Sequence, residues 1–531
     1  MTIFKNLLLY LLLSLILILL YAELSHFWVN CGGLRSKITY IELPILLVLL
    51  LVLYFPTKNI FKNSFLSVIS ILGLYILYDI FYHFLARSSR LSDFSNATAL
   101  SDFSLIMSAG LVIMILLIIS PILYMIYNFK KNSKKQTFYS LISIKIVVLV
   151  GLFFYLNTSH FSHYLFKKFD YCNWSQGKTI KTNGRFTSFI YYGIISMQAK
   201  EKLNLYNTRE VNIDKLLFDN LKIKNKRNIY IVVLESFVDP RLIKDATFSR
   251  SPLFQNMQKY LGGEEFSYIT SSIYGGGTAQ SEFEILTGVP ALSKVSSIEF
   301  NTLDGNQISG FVNALKQNGY KTKATIGSYS GYYNSKDAYK SIGFDKTIFL
   351  EESDDFQLID GDERIFDGDL YDYNLRKLKE ENIKTPYLNY VLGMYGHFPY
   401  ERNLNLRPDI VTTTYKDLRI HRIANQFYYR TKTLVNYMDN ILSYDPSAII
   451  FVSSDHLPPL LTNGIKYTKS QTENIALLFV DGKAIDINGR HYYDIPRLIW
   501  KILNNDKKEL KKIDTKVYEE IYFKALSESL Q

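Results

Sequence analysis

The stretch NIYIVVLES, Asn228 to Ser236, decides how the second half of the chain folds. Its apolar run, Ile229 to Leu234, is short, rich in β-branched residues and without alternation, which is the pattern of a strand covered on both faces. Similar runs follow in YKTKATIGSY (Tyr320–Tyr329), YLNYVLGMY (Tyr387–Tyr395), SAIIFVSS (Ser447–Ser454) and NIALLFV (Asn474–Val480). Helical periodicity falls between them, near Ala279–Leu286, Ser309–Gln317, Asp369–Lys379, Ile420–Leu442 and Ile495–Leu503. Strands interleaved with helices predict an α/β domain over residues 228–531, with a mostly parallel sheet flanked by helices.

Toward the N-terminus the composition changes. Residues 1–158 hold five apolar segments, Ile3–Tyr21, Ile38–Phe55, Phe65–Leu85, Leu105–Tyr127 and Leu141–Leu156, each near the roughly 20 residues needed to span a bilayer. They predict an all-α membrane domain of five transmembrane helices. The first lacks a small-residue cleavage site and is read as a retained anchor rather than a signal peptide. Lys130, Lys131, Lys134 and Lys135 cluster between the fourth and fifth spans, and Lys5, Lys58 and Lys62 fall on the same side. By the positive-inside rule that side is cytoplasmic, so everything after Asn157 lies outside. Residues 159–227, with Trp174 and many Tyr and Lys, read as a juxtamembrane linker with amphipathic helices. The formal charge of +11 comes without any nucleic-acid-binding pattern, and several of its lysines flank the spans, so a membrane accounts for it and nucleic acid is excluded as a partner.

Asp79 and His83 stand four apart in the third span, hence on one helix face, near an end where a polar group snorkels easily; substrate handling is the alternative. Cys31 and Cys172 fall on one side of the membrane, so a disulfide and two free thiols are both open. No cysteine metal motif exists.

In parallel sheets, ligands collect at the carboxyl ends of strands. Here the first strand ends in Glu235, the third leads to His397, and the fourth ends in Asp455 and His456. Three ligands of the types Glu, Asp and His suit Mn²⁺ or Zn²⁺. The segment YGGGTAQSEFEILTG (Tyr274–Gly288) adds three glycines that let the backbone approach an anion, then Thr278 at a helix start, where amides favour phosphate. A metal-activated hydroxyl there is a nucleophile. The plainer alternative is a glycine turn with Thr278 as the helix N-cap, helped by Ser281 or Glu282 as a capping box.

At these residues the chain resembles the lipoteichoic acid synthase and phosphoglycerol transferase branch of the alkaline phosphatase/sulfatase superfamily. The resemblance rests on LESF (Leu234–Phe237), GGGTAQSEFEILTG (Gly275–Gly288), GHFPY (Gly396–Tyr400) and SSDH (Ser453–His456), in the family's order and spacing. It implies that Glu235, Thr278, Asp455 and His456 bind one divalent metal ion, that Thr278 is the catalytic nucleophile, and that His397 and Tyr333 bind substrate. Tyr333 stands where the family has Trp, Ser335 where it has Arg, and Lys336 where it has Asp.

The implied activity is transfer of phosphoglycerol from a phospholipid donor, phosphatidylglycerol, to a hydroxyl of an extracytoplasmic glycan acceptor, through phospho-threonine. The alternative is a phosphoethanolamine transferase acting on lipopolysaccharide or another surface glycan. Those enzymes carry several disulfides in the catalytic domain, and no cysteine follows Cys172 here. A sulfatase proper needs Cys or Ser in a C/S-x-P-x-R context, which Thr278-Ala-Gln-Ser lacks. A two-zinc phosphatase needs more ligands than His397, His421, His456 and His491 supply. A scaffold that has lost the chemistry would be missing a ligand, and none is missing.

Overall fold

The structure is a computed structural model and describes residues 2–25, 41–56, 59–85, 105–171, 176–207, 210–263, 265–296, 298–359, 361–382, 384–460 and 465–530. Cys31, Cys172 and the His83 side chain lie outside what is described. The chain divides into two compact units, Met1–Gln198 and Ala199–Gln531.

Among the described residues of the first unit, four helices are long and apolar enough to cross a membrane, over Phe4–Leu24, Ile60–Ile80, Met114–Asn132 and Lys135–Leu156. The segment expected to be the second of five spans differs. Its described helix, Glu42–Leu53, has 12 residues and is about 18 Å long at 1.5 Å per residue, against a hydrocarbon core of about 30 Å. Both ends have a physical cause. Glu42 is buried and accepts hydrogen bonds from the Tyr75 hydroxyl (2.5 Å), the Thr187 amide (2.7 Å) and the Thr187 hydroxyl (2.8 Å), which pins the start. Pro56 biases Phe55 away from helix, and Lys145 Nζ donates to the freed carbonyls of Val52 (2.6 Å) and Tyr54 (2.7 Å).

Asp79 does not snorkel. Its buried carboxylate is held by Arg185 Nε (2.7 Å) and Nη2 (2.8 Å) and by the Tyr21 hydroxyl (2.9 Å), and Arg185 Nη2 also donates to Ser25 Oγ (2.7 Å). Two charges removed from water persist only when paired this closely. The segment read as a linker therefore contributes Arg185 to the interior of the first unit, and the boundary between units falls inside the helix Arg185–Asn207.

The second unit is built on an eight-stranded sheet of β1 (Ile229–Leu234), β2 (Ser267–Thr270), β3 (Lys321–Ile326), β4 (Lys346–Phe349), β5 (Tyr387–Gly393), β6 (Ile449–Ser454), β7 (Glu473–Val480) and β8 (Lys483–Ile485). The order is β2-β7-β6-β1-β5-β3-β4, with β8 on β7. Strands β6, β1, β5, β3 and β4 run parallel; β7 is antiparallel to β6, and β2 and β8 are antiparallel to β7. Side chains alternate across the sheet. Ile229, Ile231 and Val233 pack with the helices Thr278–Thr287, Phe311–Gln317, Ile495–Leu503 and Thr515–Ser529, while Tyr230, Val232 and Leu234 pack with Asp367–Glu381 and Leu418–Tyr444. The expected mostly parallel sheet with helices on both faces is what forms.

Register places the site. Leu234 lies opposite Gly393 on one side and Ser454 on the other, so the carboxyl ends of β5, β1 and β6 are level. Glu235, Met394 and Asp455 are the next residues out.

Candidate metal centre and nucleophile

Glu235, Asp455 and His456 converge at those strand ends, all buried, with one potential ligand atom from each within 4.8 Å of the others. His456 Nε2 is 3.1 Å from Asp455 Oδ2 and 3.6 Å from Glu235 Oε1. The Thr278 hydroxyl, also fully buried, donates to Glu235 Oε2 at 3.0 Å. Four of the six residues expected from sequence thus share one cluster.

The backbone fixes each of them. The amides of Ser236 (2.7 Å) and His456 (2.6 Å) both donate to Asp455 Oδ1, and the Ser236 hydroxyl donates to Glu235 Oε1 (2.8 Å). Ser281 Oγ, one turn along from Thr278, donates to the Asp455 carbonyl (2.6 Å) and ties the helix to β6. Beneath Glu235, the buried Arg430 donates Nη1 to the Glu235 carbonyl (2.9 Å) while Asp367 holds its Nε (2.6 Å). A Cβ on Gly396 would sit 2.0 Å from that carbonyl oxygen, so only glycine lets the β5 loop close over it. Sequence reading missed Ser236, Arg430 and Asp367. Ser236 was within reach, because a residue between a strand-end ligand and a turn points its amide back at the next strand. Nothing local marks Arg430 or Asp367.

Gly275, Gly276 and Gly277 all have positive φ, at 68°, 137° and 86°, a run that favours glycine at every position. Gly277 is the N-cap and Thr278 the first helical residue; Ser281 and Glu282 form no capping box, since Ser281 bonds Asp455 and Glu282 accepts from the buried hydroxyls of Tyr339 and Tyr390. The capping alternative is thereby corrected: the turn supplies the cap, and the Thr278 hydroxyl is free to face Glu235.

Tyr333, buried and at φ 51°, accepts the Gly277 amide at 3.0 Å and so braces the glycine turn. His397 stands apart from the three-residue cluster. It is half-buried on the loop after β5, with Nδ1 2.8 Å from the Phe398 carbonyl oxygen. Its field reaches the site nonetheless. Burial opposes the charge on Glu235, but His456 and His397 hold its carboxyl below the ordinary range. Burial and the neighbouring Glu235 push Asp455 up.

These residues fit a divalent cation. The Nδ1 of His456 is 3.1 Å from the Leu457 carbonyl oxygen, so it carries the proton in the neutral ring. Burial opposes charge on the ring, yet the Asp455 and Glu235 carboxylates that Nε2 faces raise its pKa above the ordinary range, so the place between them favours a positive charge. Three lone-pair donors aimed at one another in a buried place are satisfied by a cation among them, with the outer hydrogen bond fixing the ring.

A covered, mostly parallel sheet whose strand ends gather Glu, Asp and His beside a helix-start hydroxyl defines a sulfatase-like α/β domain. The family model named Sulfatase matches residues 227–501, and the chain belongs to that family. An uncharacterized protein of Haemophilus influenzae is 29% identical over 189 residues, covering 34% of this chain and about a third (34%) of that relative's length. Among solved structures, the phosphoglycerol transferase GacH of Streptococcus pyogenes, in complex with sn-glycerol-1-phosphate, is similar at TM-score 0.44 and 18% identity, over 63% of this chain and 91% of that one. The lipoteichoic acid synthase LtaP of Listeria monocytogenes is similar at TM-score 0.42 and 16% identity, over 57% of this chain and 78% of that one.

Proposed function

We propose that this chain is a membrane-anchored, metal-dependent phosphotransferase that moves phosphoglycerol from phosphatidylglycerol to a hydroxyl of an extracytoplasmic glycan. The observation that carries the reading is the Thr278 hydroxyl, at the first residue of its helix and 3.0 Å from Glu235 in the cluster with Asp455 and His456. Held by Glu235, Asp455 and His456, a divalent ion such as Mn²⁺ or Zn²⁺ supplies Lewis-acid charge at the transferring phosphoryl group.

The chain's own residues supply the rest. Glu235 accepts the Thr278 hydrogen, which leaves the oxygen's lone pairs for phosphorus. Attack forms the Thr278 Oγ1–P bond and breaks the bond to diacylglycerol, which leaves with a proton. The helix start at Thr278 offers amides to the phosphoryl oxygens. His397 holds the phosphate or head group in this reading. A glycan hydroxyl then attacks the phospho-threonine, gives up its proton and restores the Thr278 hydroxyl. The lysine-rich turn before the last span supports a position of residues 228–531 outside a bacterial inner membrane.

Mass spectrometry of the full-length protein after incubation with single defined lipids tests this. Phosphatidylglycerol is expected to leave a glycerophosphate mass on the Thr278 peptide, and Thr278→Ala none. Phosphoethanolamine on that peptide would select the ethanolamine branch instead. Diacylglycerol release by Thr278→Ala at the wild-type rate would end the mechanism.

A further inference from the structure

Within the membrane unit, a cavity of about 500 Å³ opens between the start of the helix Ile60–Leu85 and the end of the helix Leu105–Asn132. Its floor is apolar, with Leu66, Met125 and Phe129. Six polar side chains line it, those of Asn59, Lys62, Asn63, Tyr124, Asn128 and Asn132. Lys62 Nζ donates to the Tyr124 hydroxyl at 2.6 Å and lies 4.6 Å from that ring's centroid. Asn63 is buried; its Nδ2 donates to the Phe55 carbonyl at 2.8 Å, but its Oδ1 has no hydrogen-bond partner.

The surrounding charge is all of one sign. Lys130 and Lys131 lie in the last turn of the Leu105–Asn132 helix, and Lys134 and Lys135 lead the next. No Asp or Glu occurs from 43 to 78 or from 103 to 169, so sequence offers these lysines no nearby carboxylate.

We infer that this cavity is a phospholipid site separate from the centre at Glu235 and Thr278. The ligand must bring an anion for Lys62, polar head-group atoms for Asn59, Asn128 and Asn132, and apolar chains for Leu66, Met125 and Phe129. A phosphodiester lipid whose head group carries hydroxyls, as phosphatidylglycerol does, has all three. An ammonium head group would bring a second cation against Lys62 and its neighbours. Basic pockets between spanning helices on the lysine-rich face are suited to anionic head groups, and the volume fits a head group with its first chain carbons. The inference does not depend on the catalytic reading, because none of its residues belongs to that centre.

The test uses full-length protein in phosphatidylcholine nanodiscs doped with a photoactivatable phosphatidylglycerol, followed by peptide mapping. Labelling of peptides containing 59–66 and 124–132 is expected, with an about tenfold loss in Lys62→Met. Unlabelled phosphatidylglycerol should compete, and glycerol phosphate without acyl chains should not. Absent labelling of both segments overturns the site, and so does undiminished labelling in a folded Lys62→Met protein. Equal competition by glycerol phosphate overturns the lipid as the source of the anion. Should Lys62→Met fail to fold, labelling and competition in the unmodified protein still decide.

Discussion

Glu284 lies on the helix Thr278–Thr287, six residues after Thr278, and shows what burying a carboxyl group costs. Its Oε1 accepts the Ala291 amide at 3.0 Å, and its Oε2 is buried without a partner. Burial, with the nearby Glu299 adding to it, pushes the carboxyl up to about 8 from an ordinary value of 4.5. Glu282, under the hydroxyls of Tyr339 and Tyr390, is pushed up by burial to about 7. Between the ordinary and the raised values the folded protein keeps protons that the unfolded chain has released. Stability from these groups is therefore full below about pH 4.5 and lost as pH rises toward 8, at about 1.4 kcal/mol per pH unit for each proton of difference. Replacing Glu284 with Gln removes one of those protons from the balance. Thermal unfolding of the full-length protein should then show the variant level with wild type near pH 5 and more stable near pH 8. Parallel curves for the two proteins across that window would show that Glu284 is not protonated in the fold.

The element that positions the chemistry is the helix Thr278–Thr287, entered through three glycines in the left-handed region. A Cβ on Gly277 would meet nothing closer than Ile273 Cδ1 at 3.4 Å, so Gly277→Ala is opposed by backbone strain at φ 86° and not by crowding. That strain is about 1–2 kcal/mol, and relaxing it swings the helix start away from Glu235. The variant should form the Thr278 adduct roughly 5–30 times more slowly while binding its metal as wild type does; an unchanged rate would mean the glycine turn does not set the hydroxyl's position. This element was also the most legible in sequence. Three glycines before a hydroxyl and an apolar helical pattern have few other uses, and β1 and β6 announce themselves as apolar runs whose next residue, Glu235 or Asp455, is at the site. Strands β2, β4 and β8 were not legible, because SYIT, KTIF and KAI are short and only partly buried, with no pattern that separates them from loops. The short Glu42–Leu53 helix was overread for the opposite reason: apolar composition continues past the points where Glu42 and Pro56 end the helix. The Asp79–Arg185 pair joins residues too distant in sequence for any local signal to connect them.

For the whole molecule, the side of the membrane on which the α/β unit lies turns on one hairpin. The helices ending at Asn132 and starting at Lys135 carry Lys130, Lys131, Lys134 and Lys135 between or beside them, and no acid offsets these charges. If that turn is cytoplasmic, the Lys135–Leu156 helix, 22 residues and about 33 Å long, delivers everything after it to the outside. The number of crossings upstream does not alter this. Whether the 12-residue Glu42–Leu53 helix crosses changes only the side of the N-terminus. The catalytic reading needs this orientation, since a glycan outside the cell cannot meet a threonine inside it. In a background with Cys31 and Cys172 replaced, single cysteines at the exposed positions Asn132 and Asn405 test it with a membrane-impermeant thiol reagent. Asn405→Cys should react in intact spheroplasts and Asn132→Cys only after permeabilisation. The reverse pattern would put Thr278 in the cytoplasm and remove the extracytoplasmic acceptor, whatever the chemistry of the metal centre.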